Sequence, residues 1–442
     1  MFATEPCNKE HAPAGENPHY IQAVAELGTE RAVIANDDIY SASGVKLVAK
    51  GVRLTPLQFE RLTQHKLTAP LDHMLASEHP VDADFLATMA ARVLDHEPVY
   101  ARLAARSGDP LAVKHALAGL KLPKPVQLRL TVMRERRTEM FEHSIRCGII
   151  AHAMAQRMGL PAAERGNLLM AAISHDFGEM HTDPAMLAAG HDIAPDERCF
   201  IHVHPITGYV LLHEIAGYPA AAAAAVLHHH ERVDGSGYPH GLRGERIPPL
   251  ARLLAVADVA ETVIRRFDLP RLDVLIRLNQ ARFDHKAVDT LRDLIHATPR
   301  DAAYTPNEHG AMRQLTHLAE VLRAWSALRA SFEAAVAPRD AGDSPLAFLF
   351  ERMASIRGLV LQCGFDPDHA DSMLGIARED PGLLLELRAL LDEMEWLLLD
   401  LAHEIERRGP EMAGLPQIPI DGLVMHLQPA RLGQAQATVR PC

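Results

Sequence analysis

At 442 residues, with 48% hydrophobic and 23% charged side chains, the chain has the composition of a soluble globular protein long enough for two or three domains. Its net charge of -12 argues against a sequence-independent nucleic-acid polymer binder or an anionic-membrane binder, while leaving room for a small phosphate ligand at a metal cluster. Cys7, Cys147, Cys199, Cys363 and Cys442 show no paired spacing and fit reduced thiols in a cytoplasmic protein. The start, "MFATEPCNKEHAPAGENPHY", has no apolar h-region, and no uncharged apolar run reaches about 18 residues, so neither a signal peptide nor a membrane span is expected.

Residues 1–36 are polar and read as a loosely ordered segment with one short helix around Tyr20–Leu27. Residues 37–122 read as a small α+β module. Within it, 37–56 alternates apolar and polar around Ser43-Gly44, which predicts a β-hairpin. The helix that follows has Thr55 as N-cap and Pro56 at its first position. "KLPKPVQL" is the connector to a helical domain over 123–300. There "LTVMRERRTEMFEHSIRCGIIAHAMAQRM" reads as one long helix, followed by "AAERGNLLMAAISHDFGE", "DERCFIHVHPITGYVLLHEI", "YPAAAAAAVLHHH" and "LARLLAVADVAETVIRR". Residues 301–442 read as a helical extension with a flexible tail. The expected fold class is therefore mainly α, an all-helical core with a small α+β N-terminal module and a helical C-terminal extension.

The central region gathers residues that suit transition metals. Glu139 and His143 are four apart and share a helix face. His175-Asp176 ends a helix, His204 lies on another, and His229-His230 closes the alanine-rich one. Neighbouring residues on a helix point about 100° apart, so adjacent ligands can serve two cations while a carboxylate between them bridges. Asp258, set in "LLAVADVA", is costly to bury unless paired or metal-bound. Taken singly, each has a plainer reading: His204 as a core or surface histidine, His175-Asp176 as a charge pair at a helix end, Asp258 as an arginine partner, and His228 as a bystander.

The order His143, "HDFG", "HVHPITGYVLL", "HHERVDGSGYPHGLRGERIP", "VAD" resembles the HD-GYP subfamily of HD-domain phosphohydrolases, over some 160 of the 442 residues. The resemblance implies an all-helical fold, a centre of two or three divalent metals (iron or manganese), and hydrolysis of the second messenger cyclic di-GMP. It implies His143, His175, Asp176, His204, His229, His230 and Asp258 as ligands, with Asp176 bridging and Glu139 as the extra carboxylate of three-metal members. "DGSGYP" would close over the substrate, with Gly235 and Gly237 allowing a tight turn and close backbone approach and Tyr238 on its far side. Two such cations about 3.5–4 Å apart turn a bridging water into hydroxide and neutralise the phosphodiester under attack. The N-terminal "DIYSASGVKLVAKGVRLT" also resembles a segment found ahead of such domains.

The pattern departs from the subfamily around the substrate. Glu179 stands where the HD motif carries a lysine, Glu261 takes the place of a second acid, and Arg265 and Arg266 are out of register with an arginine motif that holds the nucleotide. "AAGHD" at 188–192 replaces another familiar triplet. Glu179 can turn to the metals, be neutralised by Arg265 or Arg266, or face solvent; Arg266 is the candidate substrate contact. The expected function is metal-dependent hydrolysis of cyclic di-GMP. The alternatives are a phosphohydrolase for a different nucleotide and a metal-bound cyclic-dinucleotide receptor without turnover. The flanking helical regions are the expected contacts for a homodimer or a signalling partner.

Overall fold

The computed structural model describes residues 18–186, 201–266, 279–295, 308–335 and 347–362, with isolated positions between 272 and 276 and between 387 and 427. These fall into two compact units. One holds the described residues up to 266 together with 280–295, and the other holds the C-terminal helices with the described positions from 272 to 279. Both are mainly helical, and no helix among the described residues is long and apolar enough to cross a membrane.

The first unit begins with α1 (Pro18–Glu30), longer than the short helix expected there. Tyr20, Ile21, Val24 and Leu27 recur at helical spacing and are buried, so the helix is held by its apolar face. Two small sheets follow. β1 (Val33–Ala35) pairs antiparallel with β4 (Leu75–Ser77), and β2 (Ile39–Tyr40) pairs antiparallel with β3 (Lys46–Val48). The second is the hairpin the alternation predicts, with Gly44 at φ 82° in its turn. The β1–β4 pairing joins segments some forty residues apart and has no local signal in the sequence. α2 (Pro56–Thr63) starts as expected, Thr55 and Gln58 forming a reciprocal capping box with Pro56 next. α3 (Ala83–His96), α4 (Pro98–Arg106) and α5 (Ala112–Ala118) lead to the central helices.

The single long helix expected over 130–158 is two: α6 (Lys124–Arg136) and α7 (Thr138–Arg157), broken at Arg137 with φ -140° and ψ 55°. Neither proline nor glycine marks the break. Tertiary partners flank it: Arg136 reaches Glu30 at 3.1 Å, while Arg137 donates to the Thr182 carbonyl at 3.5 Å. α7 is the spine of the unit, buried from Phe141 to Ala155 along most of its length. α8 (Ala162–Ala172) and α11 (Pro249–Arg266) pack against it, and α10 (Ala220–His228) packs on both of them and on α9 (His204–His213), which lies on a 3-10 turn at His175–His181. α12 (His285–Ile295) closes this unit; α13 (Glu308–Ala335) and α14 (Ala347–Gln362) belong to the other.

A buried arginine ties the N-terminal module to the 3-10 turn. Arg129 on α6 is 1% exposed and forms an ion pair with buried Asp72. Its guanidinium lies 4.6 Å over the Tyr20 ring and donates to His181 Nε2 at 3.2 Å. Tyr20 stacks on His181 with centroids 5.1 Å apart. Burial, with Arg129 adding to it, holds the His181 pKa down to about 3, so the ring is neutral and can accept.

Candidate metal centre

Each ligand candidate is set by the element that carries it. His143 lies on the buried side of α7, and α11 runs against α7 so that Asp258 meets it. His175 and Asp176 open the 3-10 turn, and His204 begins α9. Turn and helix touch backbone to backbone: a Cβ at Gly178 would land on the His204 carbonyl, so only glycine fits. His229 and His230 follow the last turn of α10.

These side chains converge as two trios with one carboxylate between them. His143, His175 and Asp258 form the first, with His143 Nε2 3.2 Å from Asp258 Oδ1 and 3.3 Å from His175 Nε2. His204, His229 and His230 form the second, with His204 and His229 Nε2 atoms 3.2 Å apart. Asp176 Oδ2 lies 3.0 Å from His175 Nε2 and 3.8 Å from His143 Nε2. Its Oδ1 lies 3.7 Å from His204 Nε2 and 3.9 Å from His229 Nε2. One oxygen therefore faces each trio.

The ring tautomers follow from the other nitrogens. His175, His204 and His229 each direct Nδ1 at a backbone carbonyl three residues earlier, Ala172, Ile201 and Val226, at 2.8, 2.7 and 2.6 Å. His143 Nδ1 is held by the Glu261 carboxylate, which is fully buried. The protons thus sit on Nδ1 and the Nε2 lone pairs face inward. Both Asp258 oxygens and His230 Nδ1 are buried without a hydrogen-bond partner. Facing lone pairs and an orphaned carboxylate are the arrangement that divalent cations would satisfy, and the residues present fit such a pair.

The electrostatics divide the trios. Burial lowers the pKa values of His204, His229 (to about 3) and His230, keeping that side neutral. At His143 burial is outweighed by Glu261 and Asp258, which raise its pKa well above the usual value. A proton there competes with a cation for the same pocket. Asp176 resists burial because His175, His143 and His204 hold its pKa down.

Of the remaining sequence candidates, Glu139 is the one the structure leaves apart from the centre. Its side chain is 94% exposed, and its nearest cation is Arg265 at 4.0 Å. It sits in the first turn of α7, ahead of the buried stretch, and is not brought to either trio. Glu179 is brought in: with Asp176 and His204 it forms a further group of donors within 4.8 Å. Burial, then the Asp176 charge, pushes its pKa up to about 8. The arginine whose field acts on Glu179 is Arg137, whereas Arg265 turns to Glu261 at 3.8 Å. Arg266 ends α11, and its side chain lies outside the described residues, as does 188–192. Gly235 adopts φ 82°, and a Cβ at Gly237 would collide with the backbone of residues 230–232. Tyr238 stacks between His230 at 4.7 Å and His202 at 4.5 Å.

Glu231 is a residue whose part the sequence did not reveal. It is buried, and its two oxygens accept the backbone N–H groups of His240 at 2.7 Å and Leu242 at 2.8 Å, pinning the far arm of the loop. The only hint was a carboxylate placed between two histidines and two glycines.

The family model described as "HD domain" matches residues 127–285, the stretch holding both trios. That stretch is similar to the HD domain. Its HDFG and HHERVDGSGYP motifs resemble those of HD-GYP proteins. Over 116 residues it is 39% identical to the cyclic di-GMP phosphodiesterase response regulator RpfG of Xanthomonas campestris pv. campestris, covering 26% of this chain and 31% of that protein. Over 123 residues it is 32% identical to a cyclic di-GMP phosphodiesterase of Pseudomonas aeruginosa, covering 28% and 30%. Over 123 residues it is 31% identical to the 3'3'-cGAMP-specific phosphodiesterase 1 of Vibrio cholerae, covering 28% of each. The chain thus spans about a third of the length of these relatives.

Proposed function

We propose that the protein is a metal-dependent phosphodiesterase that hydrolyses cyclic di-GMP. The observation that carries this reading is Asp176, whose two oxygens face two separate trios of buried nitrogen and carboxylate donors. His143, His175 and Asp258 would hold one cation, and His204, His229 and His230 the other. None of these donors is a thiolate, which suits iron or manganese better than a structural zinc. Bound there, the cations supply an activated water and offset the charge of the phosphodiester. The chain's own residues do the rest. Glu261 keeps the His143 ring in one tautomer, and the backbone carbonyls do so for three others. The 235–239 loop, folded onto the 230–232 backbone at Gly237 and stacked through Tyr238 on His230, forms the wall beside the second trio.

The names of the relatives favour hydrolysis over a receptor without turnover, and cyclic dinucleotides over other nucleotides. The same reading makes the protein cytoplasmic, in keeping with a buried Cys147 that is in no disulfide. It makes the helical regions flanking the HD domain the contact for a second copy or a signalling protein. Manganese- or iron-loaded protein incubated with cyclic di-GMP is expected to release linear dinucleotide or mononucleotide, and faster than it does from 3'3'-cGAMP. Intact cyclic di-GMP after incubation with protein carrying two metals per chain would sink the reading.

Glu179 bears on the same centre. A lysine there would set a positive charge about 4 Å from a divalent cation, which costs about 8 kcal/mol at an effective dielectric of about 20. Glu179→Lys is therefore expected to lower both metal content and turnover, by metal analysis and product chromatography. A variant that gains activity would show instead that Glu179 faces the substrate.

A further inference from the structure

His228 takes no part in either trio, yet it belongs to another group of donors on the same loop. His228, Glu231 and His240 offer ligand atoms within 4.8 Å of one another. His228 Nδ1 and His240 Nδ1 each lie 3.9 Å from Glu231 Oε1, and the two rings are 5.3 Å apart. The fold assembles this group from two arms. His228 ends α10, Glu231 follows one turn later, and His240 returns after the glycine turn because Glu231 accepts its backbone N–H. His228 Nδ1 is buried and has no hydrogen-bond partner. A buried ring nitrogen aimed at a carboxylate oxygen, with no proton partner, is a ligand awaiting an acid.

We propose that His228, Glu231 and His240 form a second, separate metal site that takes one zinc ion. Two imidazoles and a carboxylate with one open position are an established zinc donor set. Bonds of about 2.0–2.2 Å bring such donors to roughly 3.3–3.5 Å apart, so each histidine must close on Glu231 by about half an ångström from 3.9 Å. Glu231 is already oriented for the role. Each of its oxygens accepts one backbone N–H and retains a second lone pair. His240 is 49% exposed, so the ion has a path from solvent.

The site would act on the loop. His228 adjoins His229, and His240 lies two residues beyond Tyr238. Zinc would tie the returning arm to the end of α10 and hold Tyr238 against His230. Its effect on turnover rests on the phosphodiesterase reading, but its occupancy does not.

The test is a zinc count on the full chain. After saturation with zinc and gel filtration, wild type is expected to hold one more zinc per chain than His240→Ala, and His228→Ala is expected to match His240→Ala. The same difference of one should persist when His240→Ala is added to Asp176→Ala, which disables the central pair. Zinc should also slow backbone hydrogen exchange over residues 238–242 in wild type and not in His240→Ala. Equal zinc in wild type and both histidine variants overturns the proposal, as does loop exchange indifferent to zinc. A central pair that fails to load leaves the difference of one intact, so the two readings fail separately.

Discussion

Asp176→Ala is expected to abolish turnover and to release both central cations together, while far-UV circular dichroism stays close to wild type. Asp176 is only 13% exposed at its side chain, and its two oxygens are divided between the trios. On the proposed reading, losing it would remove a negative charge from between two cations and a donor from each. Removal of His143 or His230 should take one cation first, because each belongs to one trio. Elemental analysis of the variant decides the matter. Wild-type metal content with wild-type turnover would show that the carboxylate does not bridge.

A comparable loss, of stability rather than chemistry, is expected from Arg129→Met. The substitution leaves Asp72 buried at 3% exposure without its ion partner, and breaking one side of a buried pair costs about 3–5 kcal/mol. For a unit of this size that lowers Tm by roughly 6–20 °C. Adding Asp72→Leu removes the stranded charge and should restore much of the loss, since a buried pair replaced by apolar groups is often neutral. Thermal unfolding of the single and double variants separates the cases. A double variant no more stable than Arg129→Met would show that the stacking of Tyr20 and His181, not the ion pair, holds the junction.

How much of this was legible in the sequence depended on how local the signal was. The capping box at Thr55, the hairpin around Gly44 and the histidine and aspartate motifs are short-range patterns, and the structure brings the motif side chains together. The motifs carried the site because their glycines encode geometry: Gly178 and Gly237 are required where two backbones meet. Glu139 shows the limit of spacing arguments. Four residues place it on the face of His143, but a first-turn residue with nothing packed over it faces water. The break at Arg137 is flanked by partners tens of residues away, and the β1–β4 pairing and the Arg129–Asp72 pair depend on such partners, which periodicity does not see. The trio of His228, Glu231 and His240 was hidden for the same reason, since the loop must close before its ends meet.

The backbone carbonyls of Ala172, Ile201 and Val226 carry a consequence for how this centre can drift over generations. A carbonyl is present whatever the side chain, so no point substitution at those three positions deletes the acceptor that orients His175, His204 or His229. His143 is the exception among these four rings, because its orientation is written in a side chain, Glu261. Heritable retuning of ligand basicity is therefore concentrated at Glu261, while the other three rings are buffered against mutation of the residues that orient them.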